Sequence, residues 1–144
     1  MTLNQLSVFV ENKPGTLQIL TDILAEHNIN MRALSLAEAS EFGIVRIIVD
    51  DAQKASALLT QEGFIHSVTK VIGVAIPDEP GGLSRILHIL SACGVNVEYM
   101  YAFLGGQVAA HAHMIFHVQD ADAAVAALAA KGISCITQDS LSNA

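Results

Sequence analysis

The segment Val10-Glu11-Asn12-Lys13-Pro14-Gly15-Thr16-Leu17 returns later in the chain as Ile76-Pro77-Asp78-Glu79-Pro80-Gly81-Gly82-Leu83, with the two Pro-Gly pairs 66 positions apart. At the same offset Asn28-Ile29-Asn30-Met31 returns as Gly94-Val95-Asn96-Val97. Val49-Asp50-Asp51-Ala52 returns as Val118-Gln119-Asp120-Ala121 at an offset of 69, so the second copy carries three extra residues, and Gly105-Gly106 places them in a turn. A repeat that keeps its turn residues as well as its apolar pattern is a repeated fold unit. The chain is therefore limited to architectures made of two copies of one motif, with expected domains at residues 1–68 and 69–144.

Within one copy the elements follow a fixed order. Leu6, Val8 and Val10 recur at every second position, as do Ile72, Val74 and Ile76, which predicts a strand with one buried face. After the Pro-Gly turn, Leu17, Leu20 and Leu24, matched by Leu83, Ile86, Leu87 and Leu90, recur at helical spacing. Asn28 and Gly94 mark the helix ends, since both tolerate the left-handed conformation found there. Ile29 to Leu36 and Gly43 to Asp50 read as two strands, matched by Val95 to Leu104 and Val108 to Val118 around the Gly105-Gly106 hairpin. A second helix follows, with Ala121, Ala124, Val125 and Leu128 on one stripe, and Gly63 and Gly132 end it. Phe64 to Val68 and Ile133 to Thr137 supply the last strand of each copy.

Composition narrows the function classes. A chain that is 52% hydrophobic and 15% charged over 144 residues can bury a core as two small packed units. Its net charge of -7, with seven Lys and Arg in all, argues against a nucleic-acid or anionic-membrane surface, since both need clustered positive charge. No apolar run is long enough to span a membrane, and the start of the chain lacks the basic and apolar stretches of a signal peptide, so a cytoplasmic location is expected. Cys93 and Cys135 have no metal-ligand spacing and read as small buried apolar residues.

The order strand, helix, strand, strand, helix, strand is the split βαβ arrangement of ferredoxin-like domains, an α+β fold with both helices on one face of an antiparallel sheet. Two Asn/Asp-x-Pro-Gly turns fall between the first strand and first helix, each followed by Asn-Ile-Asn or Gly-Val-Asn at the second strand. In this the chain resembles the ACT domain family of small-molecule sensors, in the form of two tandem ACT domains spanning essentially its whole length. The resemblance implies antiparallel sheets that pair side by side, an amino-acid effector where paired units meet, no cofactor, and a partner enzyme or regulator on another chain. Side-by-side pairing would set Asn30 against the Asp78 turn and Asn96 against the Asn12 turn.

The chemistry of the turn suits that role. Proline is pre-set for the first helical turn, glycine lets a ligand approach the backbone, and the helix start offers unpaired N–H groups to a carboxylate. The candidate ligand-binding residues are Asn12, Lys13, Pro14, Gly15, Thr16 and Leu17 in the first copy. Their counterparts are Asp78, Glu79, Pro80, Gly81, Gly82 and Leu83, joined by Asn30, Asn96 and Tyr99 from the second strands. Asn12, Asp78, Asn30 and Asn96 have acceptor oxygens for an ammonium group. Glu11, Asp78, Glu79 and Glu98 disfavour an acidic ligand, whereas Tyr99, Met100 and Tyr101 favour an apolar or aromatic one. Thr16 against Gly82 is expected to be one source of different specificity in the two copies.

His111, His113 and His117 fall with Ile115 on one side of a strand, opposite Ala112, Met114, Phe116 and Val118. Their side is expected to be the face without helices, where Phe9, Ile44, Ile48 and Ile115 would be covered by a second chain in a homodimer. The histidines suit a polar or subunit contact, with a pH-responsive contact or a metal site as alternatives. The rival reading of the whole chain is a metal-dependent lyase or dioxygenase of the vicinal-oxygen-chelate type, also a tandem repeat. Against it, a second helix precedes each last strand and neither first strand carries a His. No nucleophile–base set or phosphate loop stands out, so no catalytic residues are assigned.

Overall fold

The computed structural model describes residues 2–104 and 110–142 of the chain. Its elements run β1 (Leu3–Glu11), α1 (Thr16–Glu26), β2 (Met31–Ala39), β3 (Phe42–Val49), α2 (Ala52–Gln61), β4 (His66–Pro77), α3 (Gly82–Ala92), β5 (Val97–Ala102), β6 (His111–Val118), α4 (Ala121–Ala130) and α5 (Gln138–Ser142). The Gly105-Gly106 turn lies outside the described residues. By contact the chain divides into Asn4–Thr69 and a second unit made of Met1–Leu3 with Lys70–Ala144.

In the first unit β3 pairs antiparallel with both β2 and β1. The edge of β1 is closed by the segment leading into β4, where the Phe9 N–H donates to the Ile65 carbonyl at 2.9 Å. Leu6, Val8 and Val10 of β1 meet Leu20 and Leu24 of α1 and Ala55, Leu58 and Leu59 of α2 in a single buried cluster, so both helices cover one face. The second unit repeats this construction. There β6 pairs with β5 and β4, and Ile72, Val74 and Ile76 meet Ile86, Leu90, Ala124 and Leu128.

Equivalent residues also end the helices in the same way. Ile29 N–H reaches the Leu24 carbonyl and Val95 N–H the Leu90 carbonyl, both at 2.9 Å, in the bond pattern of a Schellman motif. Asn28 and Gly94 adopt positive φ there, 57° and 72°, as their side chains or lack of one allow. Asp51 caps α2 through the Lys54 N–H and Asp120 caps α4 through the Ala123 N–H, each at 3.0 Å. Both second strands carry a register irregularity at matching places, Met31/Ala33 and Val97/Tyr99.

Several expectations need correction. The strands expected at Phe64 to Val68 and Ile72 to Ile76 run together from His66 in one twelve-residue element, β4, because Ser67-Val68-Thr69-Lys70 contains no residue that breaks a strand, while Phe64 and Ile65 precede it. The last strand of the second copy shortens to a bridge between Val74 and Cys135, backed by the Ile136 N–H on the Gly73 carbonyl at 2.8 Å. Thr137 then caps a new helical turn, its hydroxyl accepting from the Ser140 N–H and its carbonyl from the Ser140 hydroxyl. Cys135 is buried, but Cys93 is exposed, since it is the C-cap of α3 and lies past the apolar stripe. Ile48 and Ile115, expected on an open face, have no exposed surface within the chain itself, while Phe9 remains 44% exposed.

Candidate ligand-binding site

The repeated turn is built from the same hydrogen bonds in both units. The Asn12 N–H donates to the Glu41 carbonyl and the Asp78 N–H to the Ala110 carbonyl, both at 2.9 Å. The Lys13 and Glu79 N–H groups fold back onto the carbonyls of Glu11 and Pro77 at 3.0 and 2.9 Å. Gly15 and Gly81 then sit at φ 89° and 88°, a left-handed conformation that glycine adopts without steric cost. These glycines are the N-caps of α1 and α3, and neither helix has a side-chain cap. Among the described residues, the amide N–H groups of Gly15, Leu17 and Gln18 have no backbone acceptor, and those of Gly81, Leu83 and Ser84 match them. Such N–H groups at the positive end of a helix attract a carboxylate.

The copies part at the first helical residue. Thr16 donates its hydroxyl to the Glu11 carbonyl at 2.7 Å and lies 3.1 Å from the Lys13 carbonyl. In the second unit the helix start is drawn closer, with 3.0 Å from the Gly82 N to the Glu79 O against 3.5 Å from Thr16 N to Lys13 O. A Cβ on Gly82 would stand 2.2 Å from the Pro77 carbonyl oxygen. Close backbone approach thus demands glycine at position 82, whatever the pair contributes to ligand choice.

Each unit has a groove beside its turn. The first encloses about 290 Å³ and is lined by Phe9, Val10, Glu11, Lys13, Thr16, Ile19 and Phe64. The second encloses about 310 Å³ and is lined by Ala75, Pro77, Gly82, Arg85, Ile86, His111, Gly132, Ile133 and Ser134. The repeat offsets superpose five positions: Phe9 on Ala75, Glu11 on Pro77, Thr16 on Gly82, Ile19 on Arg85, and Phe64 on Ile133. Both volumes are at the small end for ligand pockets, which suits a molecule the size of an amino acid. At the first groove Lys13 Nζ lies 3.0 Å from Glu11 Oε2, and near the second Arg85 Nη2 lies 3.7 Å from Glu79 Oε1.

Of the sequence candidates, Lys13, Thr16 and Gly82 line these grooves, with Asn12, Pro14, Gly15, Leu17, Asp78, Glu79, Pro80, Gly81 and Leu83 in the same two turns. Leu17 turns its side chain to the core, whereas Leu83 is exposed. Asn30 and Asn96 stand at the far end of the first helix of their own unit, about 16 Å along an eleven-residue helix. There their carbonyls accept from the Asp50 and Gln119 N–H groups at 3.1 and 3.4 Å. Asn96 lines a separate depression with Leu87, Ser91 and Gly94. Tyr99 lies away from the turn, stacked on His117 with ring centroids 4.7 Å apart. Ile19, Phe64 and their counterparts were not among the sequence candidates for binding, and Phe9 was expected at a subunit contact instead, although the offset that aligns the turns also aligns Ile19 with Arg85.

Among the described residues no three His, Cys, Asp or Glu side chains converge to hold an ion. His117 Nδ1 is 3.5 Å from Glu98 Oε2, and His113 meets Phe103 edge-on with 6.0 Å between ring centroids. Burial, aided by the neighbouring His111, lowers the His113 pKa. Burial also raises that of the Cys135 thiol.

The described chain is thus two ferredoxin-like units of the α+β class, each with an uncapped helix start and a groove lined in part by its first helical residue. The chain belongs to the ACT domain pair family, whose model matches residues 1–144. Among curated proteins none matches significantly. Protein BT0572 from Bacteroides thetaiotaomicron is 37% identical, with a TM-score of 0.92 over 100% of this chain and 98% of that one. The regulatory subunit of aspartate kinase from Thermus thermophilus, in its ligand-free form, shares the fold with a TM-score of 0.63 at 17% identity, over 88% of this chain and 91% of that one. The corresponding Thermus flavus subunit has a TM-score of 0.59 at 15% identity, over 88% and 90% of the two chains. No helix among the described residues is long and apolar enough to cross a membrane.

Proposed function

We propose that this chain is a non-catalytic sensor that binds a free amino acid beside its Pro-Gly turns and passes the occupancy to a partner enzyme or regulator on another chain. The observation that carries this reading is the shared backbone geometry of the two turns, with Gly15 and Gly81 at φ 89° and 88°. Glycine in the left-handed conformation opens each helix without a side-chain cap, and the next residue, Thr16 or Gly82, lines a groove. A carboxylate accepts from those N–H groups, and an ammonium group is within the chemistry of Glu11 in the first unit and Asp78 or Glu79 in the second. The first groove, with Ile19 and Phe64 in its lining, favours an apolar or aromatic side chain. Membership of a regulatory domain family supports the same conclusion, and aspartate kinase regulatory subunits share the fold.

A thermal-shift screen of the common amino acids against the purified chain tests the proposal. A ligand at a hundredfold its Kd stabilises the folded protein by about 2.7 kcal/mol, so the effector raises the melting temperature in a concentration-dependent way. If no amino acid does so, the sensor reading falls. Metal analysis separates it from the metal-dependent lyase: stoichiometric zinc, iron or manganese in active protein would favour the enzyme.

A further inference from the structure

In the first unit, the sheet face away from α1 and α2 leaves an apolar stripe open to water. Leu6, Val8 and Val10 turn to the helices, so Phe9, which also borders the first groove, turns to the other side of β1. Antiparallel register sets Phe9 opposite Ile44 and Ile44 opposite Ala37, with Phe42 two residues further along β3. Phe64 packs on the core, which aims the next residue, Ile65, away from it, and the Ile65 carbonyl accepts from the Phe9 N–H at 2.9 Å. Ile65, Phe9, Ile44 and Ala37 therefore form one row across the sheet. Phe9, Phe42 and Ile65 are 44%, 53% and 74% exposed. Folding does not require this surface, because at the repeat offsets the second unit places Ala75, His111, His113 and Ser134 where the first has Phe9, Phe42, Ile44 and Ile65. Two half-open phenylalanines and an open isoleucine expose roughly 300 Å² of apolar surface. One side of a standard protein interface buries about 800 Å², a little over half of it apolar, so the stripe supplies most of the apolar share.

The charges at the two ends of the stripe select its occupant. On the same face, Glu11 lies opposite Phe42 at one end and Arg46 opposite Ser7 at the other. A two-fold axis along the apolar row reverses the strand direction, and so sets the Glu11 end of one copy over the Arg46 end of the next. We infer that the stripe is the contact between two copies of this chain, whose sheets pack face to face about 10 Å apart through Phe9, Phe42 and Ile65. The exposed ion pair between Glu11 and Lys13, at 3.0 Å, is of a kind that contributes little, so the carboxylate can turn to the second copy. Each copy carries a net charge of -7, but a Debye length of about 8 Å at physiological salt leaves the local pattern at the contact to decide. The contact needs no ligand and stands apart from the amino-acid-binding reading.

Sedimentation velocity of the full chain from about 1 to 100 µM, with no amino acid added, tests the inference. The wild type is expected at twice the monomer mass in the upper part of that range. Ile65→Asp and Phe42→Asp are each expected to raise the dissociation constant at least about tenfold. Ser134→Asp, at the matching exposed position of the second unit, leaves it unchanged. Ile65 and Phe42 are more than half exposed, so their exchange is compatible with folding, which circular dichroism verifies for every variant. The charged ends give a second measurement: Glu11→Arg weakens the dimer, and Arg46→Glu added to it restores affinity, which damage to the fold would not do. A monomer across the whole range overturns the inference, as does a dimer of wild-type affinity in both aspartate variants of the stripe. It also falls if Ser134→Asp weakens the dimer as much as they do, or if the double charge exchange is no tighter than Glu11→Arg alone.

Discussion

Thr16 and Gly82 occupy the same place in the repeat, yet the two positions obey opposite constraints. Thr16 uses its hydroxyl to tie the helix start to β1, whereas Gly82 has no room for any side chain against the Pro77 carbonyl. Gly82→Thr is therefore expected to destabilise the second unit by about 1 to 3 kcal/mol through overpacking. Thr16→Gly loses one hydrogen bond and gains chain entropy, at a cost nearer about 1 kcal/mol. Urea denaturation of both variants checks the order, and equal losses would show that the close approach relaxes freely. His113 gives a second residue-level expectation. Its folded pKa lies below the ordinary 6.5, so the unfolded chain takes up the proton first. The stability due to neutral His113 is complete above that value and is lost as pH falls below it. His113→Gln should flatten the stability–pH curve as pH falls below the ordinary histidine value, and an unchanged slope would assign that dependence to another group. The glycine pair at Gly15 and Gly81 was legible in the sequence because turn chemistry is local. The ban on a side chain at Gly82 was not, because it depends on how closely a helix approaches a strand end.

At the scale of elements the repeat governs nearly every terminus, down to the caps. Asp51 and Asp120 each accept one N–H at the start of the second helix of their unit, and their removal leaves an orphan donor in both. Asp51→Ala and Asp120→Ala are each expected to cost about 1 kcal/mol, up to about 2, in chemical denaturation. A loss at one position only would mean that the two caps are not equivalent in solution. The helices were readable because their apolar stripes and terminal Asn28, Gly63, Gly94 and Gly132 are local signals. Strand limits were less readable. β4 runs through a stretch that two separate strands were expected to flank, and the missing breaker between Phe64 and Ile72 was the available clue. The shortened last strand had no such clue, since Thr137 becomes a cap only once Ser140 is within reach. Alternation placed Ile48 and Ile115 on the side away from the helices but could not say whether the chain itself buries them. The same limit hid the grooves, whose linings combine three or more separated segments in each unit.

For the molecule as a whole, the duplicated unit keeps one turn geometry while the linings of the two grooves differ. The frame is shared through matching backbone hydrogen bonds, among them Asn12 to Glu41 and Asp78 to Ala110. Variation is concentrated at positions such as 9, 11, 19 and their counterparts, where the side chains line the grooves and folding demands less of them. A sensor of this kind needs a ligand to favour one state of the chain, and coupling of about 1 to 3 kcal/mol is enough to alter a partner five- to hundredfold. It has no need to change the ligand. The chain is therefore expected to return its effector intact: after prolonged incubation with stoichiometric protein, mass spectrometry should recover the amino acid unmodified. The same sample should show a melting temperature raised by roughly 5 to 10 °C at a hundredfold excess over Kd, as about 2.7 kcal/mol implies for a chain of this length. Conversion of the amino acid to a new product would contradict the sensor reading even if that stabilisation were observed. Binding and chemistry are thus scored independently on one preparation.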